Sequence, residues 1–458
     1  MEKISKEKRA IIVYSLIFAY IISFVFDGQV TQAISNSIGF ELSYFYLLMM
    51  FFHLLGLIVS QTGIIKNKDA NKVMKVCIIP CIILSIMFWI PYPTIQIISM
   101  VLVAFISGIM FSSWGYMYKY YIDKDRRFRA IGYALINSNI LMAIASFVAY
   151  YVSPIFGFIL VIFYLMVGYF FIDDNQNVEE SNTELMPQNM LIQYMGLLFI
   201  FIFVITIDSG FMYSIVNPSF KGITYLTSWF WAIPYICALF VLIKIGKRNS
   251  PIGYLHIAIG LTAIGFILFM LLDFSSISYF IVDSFLLFAA GILDLFWVCV
   301  IGEYLDYYEN PIRMFALGLV ANAFGVVTGS YLSRFIIQMN LTKEHIVIIA
   351  LVVICISLII LPYVIKQLEL IIENTKYMNT YKQETNHQQQ FTLSNTKPVE
   401  KLTSREEEIL VLVLSGKTNE NISDALHISK NTVRTHMRNI LSKYEVSNRI
   451  ELISKVLR

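Results

Sequence analysis

The sequence predicts an all-α protein in two parts, a twelve-transmembrane-helix bundle followed by a small four-helix domain. Three observations carry that prediction. The 458 residues are 57% hydrophobic and 15% aromatic but only 14% charged, against roughly 25% charged in an average soluble domain. Apolar runs long enough to cross a bilayer recur from the first residues to about position 365. Beyond about position 400 the pattern changes to short helical repeats of apolar residues set among many charges.

Taken in order, the chain opens on a short basic stretch with Lys3, Lys6, Lys8 and Arg9. Spans then fall near 10–27, 43–65, 73–91, 95–118, 130–151, 153–172, 190–215, 224–245, 251–272, 278–305, 313–335 and 344–365. The first has the look of a secretory signal. An even number of crossings argues that it is kept, because losing one would put the two ends on opposite sides. Charge placement tests the threading independently, since cytoplasmic loops carry an excess of Lys and Arg. With Met1 inside, the inner side holds Lys3, Lys6, Lys8, Arg9, Lys66, Lys68, Lys72, Lys75, Lys119, Lys124, Arg126, Arg127, Arg129, Lys244, Lys247, Arg248 and Arg313. The outer side holds only Lys221, Arg334 and Lys343. Both termini are therefore expected in the cytoplasm.

An internal repeat runs through the spans. Gly108, Ile109 and Trp114 in the fourth match Gly291, Ile292 and Trp297 in the tenth, and Arg127, Ala130 and Gly132 match Arg313, Ala316 and Gly318 at nearly the same offset. The expected membrane domain is 1–366, with halves 1–172 and 190–366 around a middle loop 173–189. Parallel repeats about an axis along the membrane normal build the major facilitator transporters, and this part of the chain resembles that superfamily. The loop GIIKNKDANK, Gly63 to Lys72, stands where the superfamily carries G-x-L-x-D-R-x-G-R-K. Asn67 replaces its acid and Ala70 its second glycine, which favours sensing over transport.

After the last span, Lys366 to Tyr377 is expected to continue briefly as an amphipathic helix. Asn379 to Pro398 is rich in Gln, Asn and Thr without apolar periodicity, so 367–400 reads as a flexible linker. Roughly twenty such residues reach on the order of 25 Å.

The closing domain, 401–458, is built around LTSREEEILVLVLSGKTNENISDALHISKNTVRTHMRNILSKYEVSNR, Leu402 to Arg449. Thr403 with Glu406 makes a capping box. Ile409, Leu410 and Val413 share a face, and Gly416 supplies the left-handed stop. Asn419 to Leu426 forms a second helix, and Ser429 caps a third that runs to about Tyr444. Val433, Ile440 and Leu441 point inward on it, while Lys430, Arg434, Arg438 and Lys443 point outward. Two helices joined by a tight turn, the second basic on its free face, make a helix-turn-helix.

From Lys401 to about Leu457 the sequence resembles the LuxR/GerE-type helix-turn-helix domain of bacterial transcription regulators. The resemblance rests on Leu402-Thr403, Arg405-Glu406, Gly416-Lys417-Thr418-Asn419, Ile422, Leu426-His427-Ile428-Ser429, Thr432-Val433-Arg434, His436, Lys443, Val446 and Arg449. It departs at Glu420-Asn421, where the family has a basic residue and then Glu, and at Tyr444 in place of Leu. The resemblance implies that Arg434, Thr435 and Arg438 face base edges in the major groove of double-stranded DNA, with Lys430, Asn431, Thr432 and Lys443 nearer phosphates. It also implies pairing into a homodimer through the last helix, Ser447 to Leu457, and a bacterial inner membrane around the spans. Net charge does not decide the matter, since 401–458 holds ten Lys/Arg against seven Asp/Glu.

Charges buried within spans are costly and mark functional positions. Asp208 in the seventh span and Asp294 in the tenth are the clearest cases. By the superfamily resemblance, spans one, four, seven and ten line the central cavity. Ser112, Ser113, Trp114 and Tyr116 would join the acids there, with Trp297 one turn from Asp294. An acidic, aromatic cavity suits a cationic or aromatic small molecule. Against this stands a plain structural role, the acids bridging helices through Ser, Tyr or backbone partners. Glu303 fits a gate or interface, His53 and His256 fit packing, and Tyr118, Tyr120 and Tyr121 fit an interfacial aromatic belt. Five cysteines in apolar runs make no disulfide framework or zinc spacing. No phosphate loop or nucleophilic triad is legible, so neither an enzyme, a cofactor nor a metal is expected. The expected function is a membrane-bound one-component regulator in which a small molecule sensed by the bundle controls DNA binding. The alternative is an active transporter with an appended regulatory domain.

Overall fold

In a chain this apolar, backbone amides inside a bilayer find no water, and a helix satisfies them within the segment. The computed structural model describes residues 4–26, 28–39, 45–62, 65–173, 188–227, 229–245, 253–307, 310–339, 342–383, 398–417, 419–446 and 449–457, and all regular structure among them is helical. One compact unit takes in the bundle up to Ile359, and a second ends in the C-terminal domain.

The first half of the bundle contains α1 (Lys6–Tyr20), a π-helical turn Ile21–Val25, α2 (Gln29–Ile38), α3 (Tyr46–Gln61), α4 (Ala70–Met87), α5 (Pro93–Ser113), α6 (Gly115–Tyr121), α7 (Arg127–Tyr151) and α8 (Pro154–Phe171). The second half contains α9 (Gln188–Phe211), a π-helical turn Met212–Val216, the short α10 (Asn217–Ser219) and α11 (Thr224–Thr227), α12 (Ala232–Ile245), α13 (Gly253–Leu271), α14 (Ser276–Tyr304), α15 (Pro311–Gln338) and α16 (Lys343–Gln383). Pro93, Pro154 and Pro311 open their helices, where a missing amide costs nothing.

Among the described residues ten helical stretches are long and apolar enough to cross a membrane, and two shorter apolar helices, α3 and α12, stand at the second and eighth expected positions. The shortness of α12 has a local cause. By starting at Ala232 it keeps Pro234 in the first turn, the one part of a helix that tolerates a residue without N–H. Large apolar side chains such as Ile79, Ile83, Ile86 and Phe170 lie on the outer surface, as a lipid-facing wall requires.

The six-plus-six repeat has structural counterparts. The first long helix of each half passes into a π turn, Ile21–Val25 and Met212–Val216. Gly108 lets α5 close onto α3: a Cβ there would lie 2.4 Å from the His53 carbonyl oxygen. Its repeat mate Gly291 does the same for α14 against α12, 2.9 Å from the Tyr235 carbonyl oxygen. Small residues at such crossings hold apolar helices together through backbone-level packing.

The two halves meet at the end of the bundle that carries Arg9, Lys124 and Arg126. Arg127, 3% exposed, donates 2.6 Å to the Gly302 carbonyl and 3.2 Å to that of Lys119. Tyr118 donates 3.2 Å to the Val298 carbonyl, and Lys124 pairs with Glu303 at 3.2 Å. Phe315 from α15 fills the space between Trp114 and Tyr118, with ring centroids 5.4 and 6.1 Å away. These contacts join the two halves at the basic end. The interfacial belt expected of Tyr118 is not what forms: the side chain is fully buried, because its hydroxyl reaches a carbonyl on the facing half and its ring carries the Arg127 guanidinium.

The helix after the last span is longer than expected, since α16 runs to Gln383 where linker was anticipated from 367. Extending an existing helix adds one hydrogen bond per residue without a new nucleus. Residues 384–397, most of the Gln/Asn-rich tether, lie outside the described residues.

The C-terminal domain consists of α17 (Ser404–Leu414), α18 (Asn419–Leu426), α19 (Lys430–Lys443) and α20 (Arg449–Leu457). Ile409, Leu410, Val413, Ile422, Val433, Ile440, Tyr444, Leu452 and Val456 are buried together as its core. Tyr444 takes the place expected for Leu and is only 2% exposed. On α19 Met437 is buried where Leu441 was expected; Leu441 packs half-buried at the edge.

Candidate functional site

The basic face of α19 is assembled by local devices. Thr403 accepts from the Glu406 amide, and the Glu406 carboxylate accepts from the Thr403 amide at 2.8 Å, closing the capping box. Gly416, at φ 80°, ends α17. His427, at φ 52°, turns the chain out of α18, and Ser429 caps α19 by accepting from the Thr432 amide at 3.1 Å. With Val433, Met437 and Ile440 turned into the core, residues 431, 434, 435 and 438 share an outward arc of about 100° at 100° per residue.

Lys430, Asn431, Thr432, Arg434, Thr435 and Arg438 are all exposed. Arg434 leans on Asn431 Oδ1 at 3.5 Å, and Thr435 donates back to the Asn431 carbonyl at 3.1 Å. Thr432 shares a 2.9 Å hydrogen bond with the capping Ser429, so its hydroxyl serves the helix start. Lys443 differs from the other cations. Its ammonium donates 2.8 Å to the Glu406 carboxylate and 3.0 Å to the Lys401 carbonyl, which engages it in the domain's own fold. Burial opposes ionisation of Glu406, but Lys443 and Thr403 together hold its carboxyl below the ordinary glutamate range.

Arg449 is the residue whose role the sequence did not disclose. Buried to 3% exposure, it donates to the carbonyls of Val413 (3.2 Å) and Lys417 and to Asn419 Oδ1 (3.4 Å). One guanidinium thus ties the end of α17, the start of α18 and the start of α20 together. Burial draws it down to about 10, so it remains a cation at neutral pH. The sequence signal was its place in the LuxR-type pattern beside the last helix, which says nothing of its burial or partners.

In the bundle, Asp294 and Trp297 are brought together: the indole N–H donates 3.0 Å to Asp294 Oδ1. The other carboxylate oxygen accepts 2.8 Å from the Tyr235 hydroxyl of α12. Tyr14 of α1 and Tyr213, in the π turn after α9, also lie within electrostatic reach of Asp294. Tyr235 on α12 and Trp297 on α14 thus hold the acid directly, while α1 and the π turn act on it at longer range. Asp208 stands apart; it is 3% exposed, and neither carboxylate oxygen has a hydrogen-bond partner among the described residues. Its neighbours Thr206 and Gly210 press on α15, through Asn322 and Val326.

The residues expected from the fourth span do not join Asp294 directly. Ser113 is buried and bonds the Ile109 carbonyl at 2.8 Å. Trp114 is fully buried, donates 3.0 Å to the Ala10 carbonyl and packs edge-on against Tyr14 at 4.7 Å. Tyr116, 4% exposed, packs on Tyr120 at 4.7 Å. These three belong to the basic end. Asp283 was missed. It is 2% exposed on α14, accepts from Tyr279, and leaves Oδ2 without a partner among the described residues. Its spacing to Asp294 was a signal: eleven residues place both on one helix face, about 16 Å apart.

Comparison with known proteins agrees with both parts. Residues 400–456 match the family of bacterial regulatory proteins, luxR family. This segment is 51% identical over 57 residues to the uncharacterized response regulatory protein YgeK of Escherichia coli K12, 12% of this chain and 39% of that protein. It is 53% identical over 57 residues to the transcriptional regulatory protein LiaR of Bacillus subtilis 168, 12% of this chain and 27% of that protein. The chain thus spans about two fifths or less of these relatives. The bundle is similar in fold to a bacterial homologue of the iron transporter ferroportin, with a TM-score of 0.59, 10% identity, and 78% of this chain and 98% of that one covered. For the nucleoside transporter NupG the values are 0.51, 14%, 80% and 99%. For the human organic anion transporter MFSD10 they are 0.58, 11%, 78% and 99%. At these identities the likeness concerns fold alone. Residues 400–456 form a LuxR-type helix-turn-helix domain, and the helical bundle before them is similar in fold to these transporters.

Proposed function

We propose that this protein is a one-component transcription regulator of the bacterial inner membrane, in which a small molecule bound by the bundle controls DNA binding by the tethered domain. The observation that carries the reading is the exposed Arg434–Arg438 face of a LuxR-type domain on the same chain as a transporter-fold bundle. Arg434, Thr435 and Arg438 read bases, Lys430, Asn431 and Thr432 meet phosphates, and Lys443 reaches the backbone only by leaving Glu406. Two copies pair through α20 on a two-fold operator. Both termini are cytoplasmic in this reading, which the seventeen-to-three distribution of basic residues supports.

The bundle offers a two-state element to be biased. Asp294, the Val298 carbonyl and the Gly302 carbonyl lie along one face-to-end stretch of α14, so a ligand at Asp294 acts on the helix that carries the Tyr118 and Arg127 contacts. Chromatin footprinting of the full chain, with and without added small molecules, tests the reading. Ligand-dependent occupancy supports it; occupancy blind to every ligand, together with solute uptake into proteoliposomes, would establish a transporter instead. A reporter fused after Arg458 must report the cytoplasmic side.

A further inference from the structure

We propose that the Asp294 cluster is a binding site for an organic cation, an ammonium group carried on an aromatic body. Charge, orientation and access each point to it. Asp294 lies amid apolar spans, and among the described residues no Lys, Arg or His pairs with it. An ionised carboxylate in such surroundings is costly without a cation, and a cationic ligand would supply the one the chain does not. The two protein donors, Tyr235 at 2.8 Å and Trp297 at 3.0 Å, fix the plane of the carboxylate and leave its remaining lone pairs for a third donor. The two side chains that donate to it, Tyr235 and Trp297, are themselves aromatic, and aromatic faces attract cations. Asp294 keeps part of its surface accessible, so its free lone pairs can be reached, and Tyr213, 49% exposed, lies within electrostatic reach of both Asp294 and Asp283. Tyr213 also sits in a π-helical turn, a feature that recurs at functional sites. The unpartnered Oδ2 of Asp283, on the same helix face and about 16 Å along it, offers a second acceptor only to an elongated ligand.

This deepens the sensor reading and is tested apart from it. Full-length protein in lipid nanodiscs is titrated calorimetrically with 2-phenylethylammonium, with benzyltrimethylammonium and with the neutral 2-phenylethanol. Both cations are expected to bind saturably, and the alcohol on the order of tenfold more weakly, the scale of one charge-assisted contact. Asp294→Asn is expected to weaken the cations by a similar factor while melting as wild type does. Tyr235→Phe, which keeps ring and carboxylate but frees the latter's orientation, should weaken them several-fold, and it decides the matter if Asp294→Asn does not fold. Equal binding of alcohol and ammonium, no saturable binding of either cation at millimolar concentration, or full cation affinity in both variants overturns the proposal. Asp294-dependent binding that leaves DNA footprints unchanged would instead remove sensing and keep the site.

Discussion

Replacing Arg449 by alanine should remove a large part of the stability of the DNA-binding domain. Its guanidinium is 3% exposed and donates to two main-chain carbonyls, Val413 at 3.2 Å and Lys417, with a longer contact of 3.4 Å to Asn419. Hydrogen bonds from a charged donor are worth roughly 1.5–3 kcal/mol each, and every buried acceptor left without a donor costs about 1–3 kcal/mol. Desolvation of the cation offsets a part of this, several kcal/mol in real proteins. The net loss comes to about 2–5 kcal/mol. A domain of some sixty residues is stable by only about 3–9 kcal/mol at the usual 0.05–0.15 kcal/mol per residue. At about 4–8 °C per kcal/mol the melting temperature should fall by at least about 8 °C. Circular dichroism melts and urea titrations of a 398–458 fragment measure both quantities. Arg449→Lys should not restore them, because a single ammonium cannot reproduce the fork that reaches two carbonyls. A loss under about 1 kcal/mol, or full rescue by lysine, would refute the argument.

Four further outcomes are expected. Glu406 has a folded-state pKa below its unfolded value, so its contribution is present above the unfolded value and disappears as pH falls through the folded one. Stability of the fragment should therefore decline more steeply on acidification below the ordinary glutamate range than that of Glu406→Gln, which should itself lose about 1 kcal/mol at neutral pH; parallel denaturation curves would show the pair to be idle. Arg434→Ala and Arg438→Ala should each cost about 1–3 kcal/mol at the operator and relax base preference, as read by gel shift against a randomised library. Lys430→Ala should weaken binding evenly across sequences and lower the salt dependence of the affinity by roughly one counterion. In the bundle, Gly108→Ala would set a Cβ 2.4 Å from the His53 carbonyl oxygen and 2.9 Å from the Leu57 amide. Backbone cannot swing aside as a side chain can, so an overpacking cost of about 1–3 kcal/mol should appear as a lower melting temperature of the detergent-solubilised protein.

Much of the small domain was legible because its determinants are local. The Thr403–Glu406 box, the Gly416 stop and the Ser429 cap each act within four residues, so their sequence signatures and their geometry coincide. The apolar period of α19 was likewise enough to turn Arg434 and Arg438 outward. The use of Lys443 was not legible, since its carboxylate partner lies on another helix, 37 residues earlier. The same limit governs the bundle. Hydropathy located the spans, and repeat glycines such as Gly108 and Gly291 marked close crossings, but nothing periodic told Trp114 from Trp297.

By itself the sequence determined what can be read from composition, period and nearest neighbours: an apolar helical chain, a repeated half, a basic recognition helix and buried acids at 208 and 294. Tertiary structure alone decided who meets whom. It set Tyr235 on Asp294, left Asp208 without a donor among the described residues, joined the halves at the basic end through Arg127 and Tyr118, and spent Arg449 on three helix ends. The physical reason is that helix formation is satisfied by bonds four residues apart, whereas partners for buried polar side chains come from segments tens to hundreds of residues away.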